Sequence, residues 1–452
     1  MTKTSIDDYA TAGAGQMAAA LAARTVSAVE LFEAATQRIE ALDGPIKAVV
    51  VRDFDRARDA AKAADTALAR GERAPLLGVP MTVKEAFNVA GLPTTWGLEA
   101  ARGWIATTDA AAVARLKAAG AVILGKTNVP PMLSDWQSAN PVYGRTNNPH
   151  DLSRSPGGSS GGSAAALATG MVPLEFGSDI GGSIRVPSAF CGVFGHKPSY
   201  DLVPQRGHTP PGLDGVGPAL NVVGPLARSV DDLILALDVV AGPADQEATG
   251  YRVDLPAPRH GRLAAFRVLM LQSHPLAKVD SEVLGALDRL AGNLETAGVA
   301  VSRQSDLLPD LAAAHGVYLA ILMTVMSRGG PRPPGLIDAH QYLGALDGQL
   351  AIRRRWGALF EAFDVVIAPT LGVAAFPHKD GEWNERTLTV DGQETPFAAQ
   401  LVWPGLVTVA NLPATAVPIG KTRGGLPIGA QIIGPYLEDR TTLAFAKLIQ
   451  GL

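Results

Sequence analysis

The spacing of apolar residues changes period several times along the chain, and these changes outline its elements. Ser27-Ala-Val-Glu30 reads as a capping box ahead of Val29, Leu31, Phe32 and Ile39, with Gly44 expected just beyond the helix end. Residues 53–70 form a second helical stretch, Ala-rich and charged, stopped by Gly71. An N-terminal helical region thus covers about 10–72. Leu77-Gly-Val-Pro-Met-Thr-Val83 then reads as a short buried strand running to Lys84. Asp109–Ala119 returns to helical spacing, is closed by Gly120, and leads straight into the strand Ala121-Val-Ile-Leu124. A helix followed at once by a buried strand predicts an α/β layer fold.

Residues 151–200 are dense in Gly and Ser, yet carry the apolar pieces Ala164-Ala-Ala-Leu-Ala168 and Val172-Pro-Leu-Glu-Phe176. A flexible linker would not. The expected elements are a helix over Ser163–Thr169 and a strand over Val172–Phe176, flanked by two Gly/Ser loops. A more variable segment, about 245–350, shows helical spacing over Val283–Ala297 and His315–Met326, a Pro-rich break at Gly329–Gly335, and little chemistry. Val365-Val-Ile-Ala368 and Ala430-Gln-Ile-Ile433 read as core strands, and Asp391-Gly392 after Leu388-Thr-Val390 as a hairpin turn.

Composition narrows the function classes. With 47% of its 452 residues hydrophobic and 18% charged, the chain can bury a large core and has no disordered character. Length alone suggests two or three domains. The net charge of −4 and the lack of a basic block argue against nucleic acid. The N-terminus lacks the shape of a secretory signal, its Asp7-Asp8 pair preceding a broken Ala-rich stretch, and no apolar run of membrane-spanning length follows. The expectation is a cytoplasmic protein with no membrane contact. Its lone Cys191 and scattered histidines offer no metal spacing, and no Walker loop or dinucleotide fingerprint is present. No metal and no cofactor are expected.

Three segments can carry chemistry: Val83-Lys84-Glu85, Gly157-Gly-Ser-Ser-Gly-Gly162 and Ser178-Asp-Ile-Gly-Gly-Ser183. Acyl transfer needs a nucleophile, a base matched to the working pH, and donors aimed at a developing oxyanion. Gly181 and Gly182 leave the backbone bare before Ser183, so the N–H groups of Ile180, Gly181, Gly182 and Ser183 can converge on one oxygen. Lys84, at the end of a buried strand, is the candidate base. Burial favours the neutral amine, and moving it from about 10.4 to about 7 takes roughly 4–5 kcal/mol. Ser159 is the candidate bridge between them, its glycine neighbours admitting an uncommon backbone, a cis peptide included.

Taken in order, these segments resemble the amidase signature family. Gly78-Val-Pro-Met-Thr-Val-Lys84, Gly125-Lys-Thr-Asn128, Gly192-Val-Phe-Gly-His-Lys-Pro198 and Gly224-Pro-Leu-Ala-Arg228 carry the same likeness, which spans nearly the whole chain and is densest from about 77 to 233. The resemblance implies a single domain over residues 1–452, an α/β/α sandwich around a mixed central sheet, with Lys84, Ser159 and Ser183 as catalytic residues and the Ile180–Ser183 backbone as oxyanion hole. Ser160, Asp179 and Arg185 match positions that support this group by hydrogen bonds. Glu175 stands where the family has a small residue, which puts local packing in doubt, and Glu85 where many members carry Asp.

Met132, Trp136 and Tyr143 lie between the lysine strand and the serine loops and would form an apolar pocket wall. Arg206, His208 and Gln400 are further pocket candidates on loops. Such a pocket suits small aryl or alkyl amides and carbamates, and the chain looks similar to the aryl-acylamidase and urethanase branch. The partner expected is thus a small-molecule substrate, the protein acting as monomer or homodimer. Three rival readings stand beside this one. Gly157–Gly161 also satisfies GxSxG, the nucleophile elbow of α/β-hydrolases, although the polar run before it is no strand. Another is a glutaminase-type subunit of an amidotransferase complex. The third is a degenerate binding protein, which the intact Lys84/Ser159/Ser183 set opposes.

Overall fold

The computed structural model describes residues 6–213, 215–328, 330 and 332–452. Gly329 and Pro331, in the Pro-rich break, lie outside the described residues, as do residues 1–5 of the N-terminal stretch. Eleven strands form one mixed sheet: β1 (Val49–Arg52), β2 (Pro80–Lys84), β3 (Val122–Thr127), β4 (Leu174–Asp179), β5 (Phe194–Lys197), β6 (Val222–Ala227), β7 (Arg267–Met270), β8 (Ala300–Ser302), β9 (Val365–Pro369), β10 (Ala414–Lys421) and β11 (Pro427–Ile433). Their order is β1-β3-β2-β4-β6-β5-β10-β11-β9-β7-β8. Parallel pairs, β3-β2-β4 at one end and β9-β7-β8 at the other, bracket an antiparallel middle. Helices flank the sheet, so the architecture is the α/β/α sandwich expected.

Strands β2, β4, β6 and β11 are buried along their whole length, as a sheet covered on both faces requires. The register places Thr82 opposite Glu175 and Val83 opposite Phe176, so Lys84 at the end of β2 stands beside the end of β4. The Gly161–Ala168 helix, with residues 161–167 buried, fits against these strands because its side chains are Gly, Ser and Ala up to Leu167. It packs on a second short helix, Arg185–Cys191.

Several expected boundaries move. The capped helix at Ser27 runs through Gly44 and Pro45 to Ile46. Asp43 accepts the Ala48 N–H at 2.6 Å, and Lys47, not Gly44, takes the left-handed conformation that ends the helix (φ 58°). Strand β4 extends to Asp179, so Ser178 and Asp179 belong to the sheet rather than to the loop. The hairpin forms over Thr387–Val390 and Gln393–Pro396, with Asp391 and Gly392 both at positive φ. Periodicity did not reveal the 24-residue helix Ala339–Ala362, although its Asp338/Gln341 capping box is present in the sequence. That helix packs on Leu311–Met326, which in turn lies on the Val402–Thr408 helix.

Candidate active site

Lys84 is fully buried, and its Nζ lies 2.6 Å from Ser159 Oγ and 2.9 Å from Ser178 Oγ. Burial pushes its ammonium down to about 7, although the Asp179 carboxylate acts to raise it. An amine at that value is half neutral near neutral pH and can accept a proton from a hydroxyl. The Gly158–Ser159 peptide is cis. Ser159, Ser178 and Ser183 open onto one cavity. The two serine loops are tied together by Ser160, whose N–H donates to the Ser183 carbonyl at 3.1 Å and whose residue caps the Gly161–Ala168 helix.

The loop before Ser183 is organised by the buried carboxylate of Asp179. It accepts the N–H groups of Gly182 (2.9 Å), Ile184 (3.1 Å) and Arg185 (3.3 Å). Arg185, itself buried, pairs with both oxygens, at 2.9 and 2.8 Å. Burial alone would raise the Asp179 carboxyl, but the guanidinium outweighs it and holds the group at about 2. Gln431 Oε1 accepts a further Arg185 N–H at 2.6 Å, and the Gln431 amide donates to the carbonyls of Pro369 and Trp403. Gly182 has φ +93°, and a Cβ there would sit 2.8 Å from Val186 Cγ2, so the position admits only glycine. One expectation needs correction. The Gly182 N–H is committed to Asp179, whereas the N–H groups of Ile180, Gly181 and Ser183 are not taken up in this way.

Of the pocket candidates, Met132 and His208 line this cavity, and Trp136 lines an adjoining one on which Ser183 also opens. Tyr143, Arg206 and Gln400 line neither. The Tyr143 hydroxyl is drawn to the buried Glu85, donating to its carboxylate at 3.1 Å. Arg206 is turned outward by an ion pair with Asp245 at 2.9 Å. The Gln400 amide is consumed bridging Gly372 N–H and the Lys278 carbonyl. His208 packs against Phe87 and Trp96, and burial, then the nearby Lys84 charge, hold it down at about 3. So weak a base cannot serve Ser159 as an elbow nucleophile would require. The chain before Ser159 is also irregular, and Lys84 is its partner.

Glu175 is accommodated without loss of the sheet. Its carboxyl accepts from Thr82 and Thr127 and lies against Ser163 and the Phe176 N–H. Sequence reasoning missed Ser178 as a partner of Lys84, although it sits in the Ser178-Asp179 pair already singled out. It also missed the walls supplied by Leu322, Val325 and Met326, in the segment read as poor in chemistry.

The amidase family model matches residues 30–329 and 334–443. AmiB2 of Mycobacterium tuberculosis is 37% identical over 98% of this chain and 96% of its own. A glutamyl-tRNA(Gln) amidotransferase component from Anaeromyxobacter sp. (strain K) is 35% identical over 97% and 95%. A solved chain from work on the origins of an s-triazine catabolic enzyme superimposes with TM-score 0.84 at 32% identity, covering 97% of this chain and 98% of that one. A bacterial aryl acylamidase of the amidase signature family shares the fold, with TM-score 0.82 at 24% identity over 97% and 95%. The chain belongs to the amidase signature family, hydrolases acting on amides.

Proposed function

We propose that this chain hydrolyses the C–N acyl bond of small aryl or alkyl amides, and of carbamates, through a Ser–cisSer–Lys group and an acyl-enzyme. The observation that carries this is the buried amine of Lys84, held within hydrogen-bond reach of Ser159 beside the cavity that receives Ser183. Neutral Lys84 takes a proton through Ser159 as Ser183 attacks the carbonyl. The oxyanion rests on backbone N–H groups of the Ile180–Ser183 loop. The relay then protonates the leaving nitrogen, and water releases the acyl group. A carbamate follows the same path through a carbamoyl- or alkoxycarbonyl-enzyme.

The two cavities flanking Ser183 support apolar groups on both sides of the scissile bond. A glutaminase-type role, favoured by the amidotransferase relative, needs charged partners for an amino acid. Among the described residues, the charged ones lining these cavities are Arg328, which donates to the Val216 carbonyl, and Asp135, which is paired with Arg386 at 2.8 Å. The test is turnover by the purified chain of anilides, alkyl carbamates and glutamine. Ser183→Ala is expected to abolish activity on the first two, and Lys84→Ala to lower it by about 10³-fold or more. Near-normal rates in either variant, or glutamine as the preferred substrate, would overturn the reading.

A further inference from the structure

Of the carbonyl groups that precede Ser183 in the glycine loop, those of Ile180 and Gly181 are each held by a different aromatic donor. The buried Tyr318 hydroxyl donates to the Ile180 carbonyl at 3.0 Å. Trp136 Nε1 donates to the Gly181 carbonyl at 2.8 Å. In a trans peptide unit the C=O and the following N–H point in opposite directions. Holding the Ile180 carbonyl on Tyr318 therefore aims the Gly181 N–H away from that phenol. Holding the Gly181 carbonyl on Trp136 aims the Gly182 N–H away from the indole, and its acceptor is Asp179.

Glycines at 181 and 182 leave these planes free to turn, so their orientation has to be imposed by neighbours. Tyr318 is itself fixed. Its ring lies so close on the Val402–Thr408 helix that a Cβ at Gly405 would fall 2.6 Å from its Cδ1. Its own helix, Leu311–Met326, also supplies Leu322, Val325 and Met326 to the cavity walls.

We propose that Tyr318 is a positioning residue that sets the Gly181 N–H as an oxyanion donor, with Trp136 fixing the next peptide plane. The apolar part of the substrate then packs on the same helix that aims the donor. This rests on Ser183 being the nucleophile.

Tyr318→Phe keeps the ring and removes one hydroxyl. Its kcat on an anilide is expected to fall about tenfold or more, with KM within about twofold, because the donor acts on charge that develops only in the transition state. Affinity for a trifluoromethyl ketone, whose adduct with Ser183 carries an oxyanion, should fall by the same factor. Unchanged kcat and ketone affinity in Tyr318→Phe, with a fluorophosphonate still labelling Ser183, would overturn the role of Tyr318 alone. A rise in KM with unchanged ketone affinity would do so as well. A wild-type protein not labelled at Ser183, with an active Ser183→Ala, would overturn the nucleophile and this inference together.

Discussion

At the scale of single residues, the site depends on how differently burial treats two charged groups. Lys84 has only hydroxyls at hydrogen-bond distance and sinks to about 7, whereas Asp179, equally buried, has a guanidinium on both oxygens and stays at about 2. For Lys84 the folded value lies below the ordinary 10.5. Between about 7 and 10.5 the unfolded chain keeps a proton that the folded chain has released, so stability from this group rises with pH across that window. Activity gains from the same shift. The logarithm of kcat/KM is expected to climb with unit slope up to about pH 7 and level off above it, as an initial-rate pH profile would record. A plateau reached only near pH 10 would mean that the amine is not held neutral.

Among the elements, β2, β3 and β4 do most to place the chemistry, and they enclose the buried carboxyl of Glu175. Burial raises the Glu175 carboxyl from 4.5 to about 7, although hydrogen bonds from Thr82, Ser163 and Thr127 oppose the shift. The folded chain therefore holds a proton that the unfolded chain loses between pH 4.5 and 7, and stability from this group falls as pH rises through that window. Glu175→Gln is expected to raise the melting temperature at pH 8, the relief being on the order of 3 kcal/mol, and to change little at pH 4. Thermal melts at the two pH values check this. The alternation of these strands and helices was legible because capping boxes and buried apolar runs are local signals. The end of β4 was not, because Ser178 and Asp179 look like loop residues until β6 pairs with them. The Ala339–Ala362 helix escaped because few of its residues are buried: Trp356, Leu359 and Phe360.

Over the whole molecule, the nucleophile loop sits between two cavities separated in part by one helix. Val325 faces the cavity of Ser159, and Leu322, one turn away, faces the other. Val325→Trp and Leu322→Trp are expected to discriminate between substrates enlarged on opposite sides of the scissile bond. Each should raise KM several-fold for one series and leave the other within about twofold, as steady-state kinetics on paired acyl- and amine-varied amides would report. Ser159 and Ser183 could be found in the sequence because they lie in glycine-rich segments interrupted by apolar runs, and Lys84 because it ends a buried apolar strand. Tyr318 could not. A lone phenol in an apolar helix carries no local sign that a backbone carbonyl 138 positions away will need it.

Gln431 lies on a strand that lines neither cavity, yet it gives the site a direction. Its amide presents oxygen to Arg185 and nitrogen to the carbonyls of Pro369 and Trp403. Half a turn about its last bond would set oxygen against oxygen and N–H against a cation. Only one orientation is electrically permitted, so the side chain works as a one-way latch between the far strands and the guanidinium. A carboxylate in its place would satisfy the arginine and repel the two carbonyls, which is why a neutral, two-ended group suits this junction.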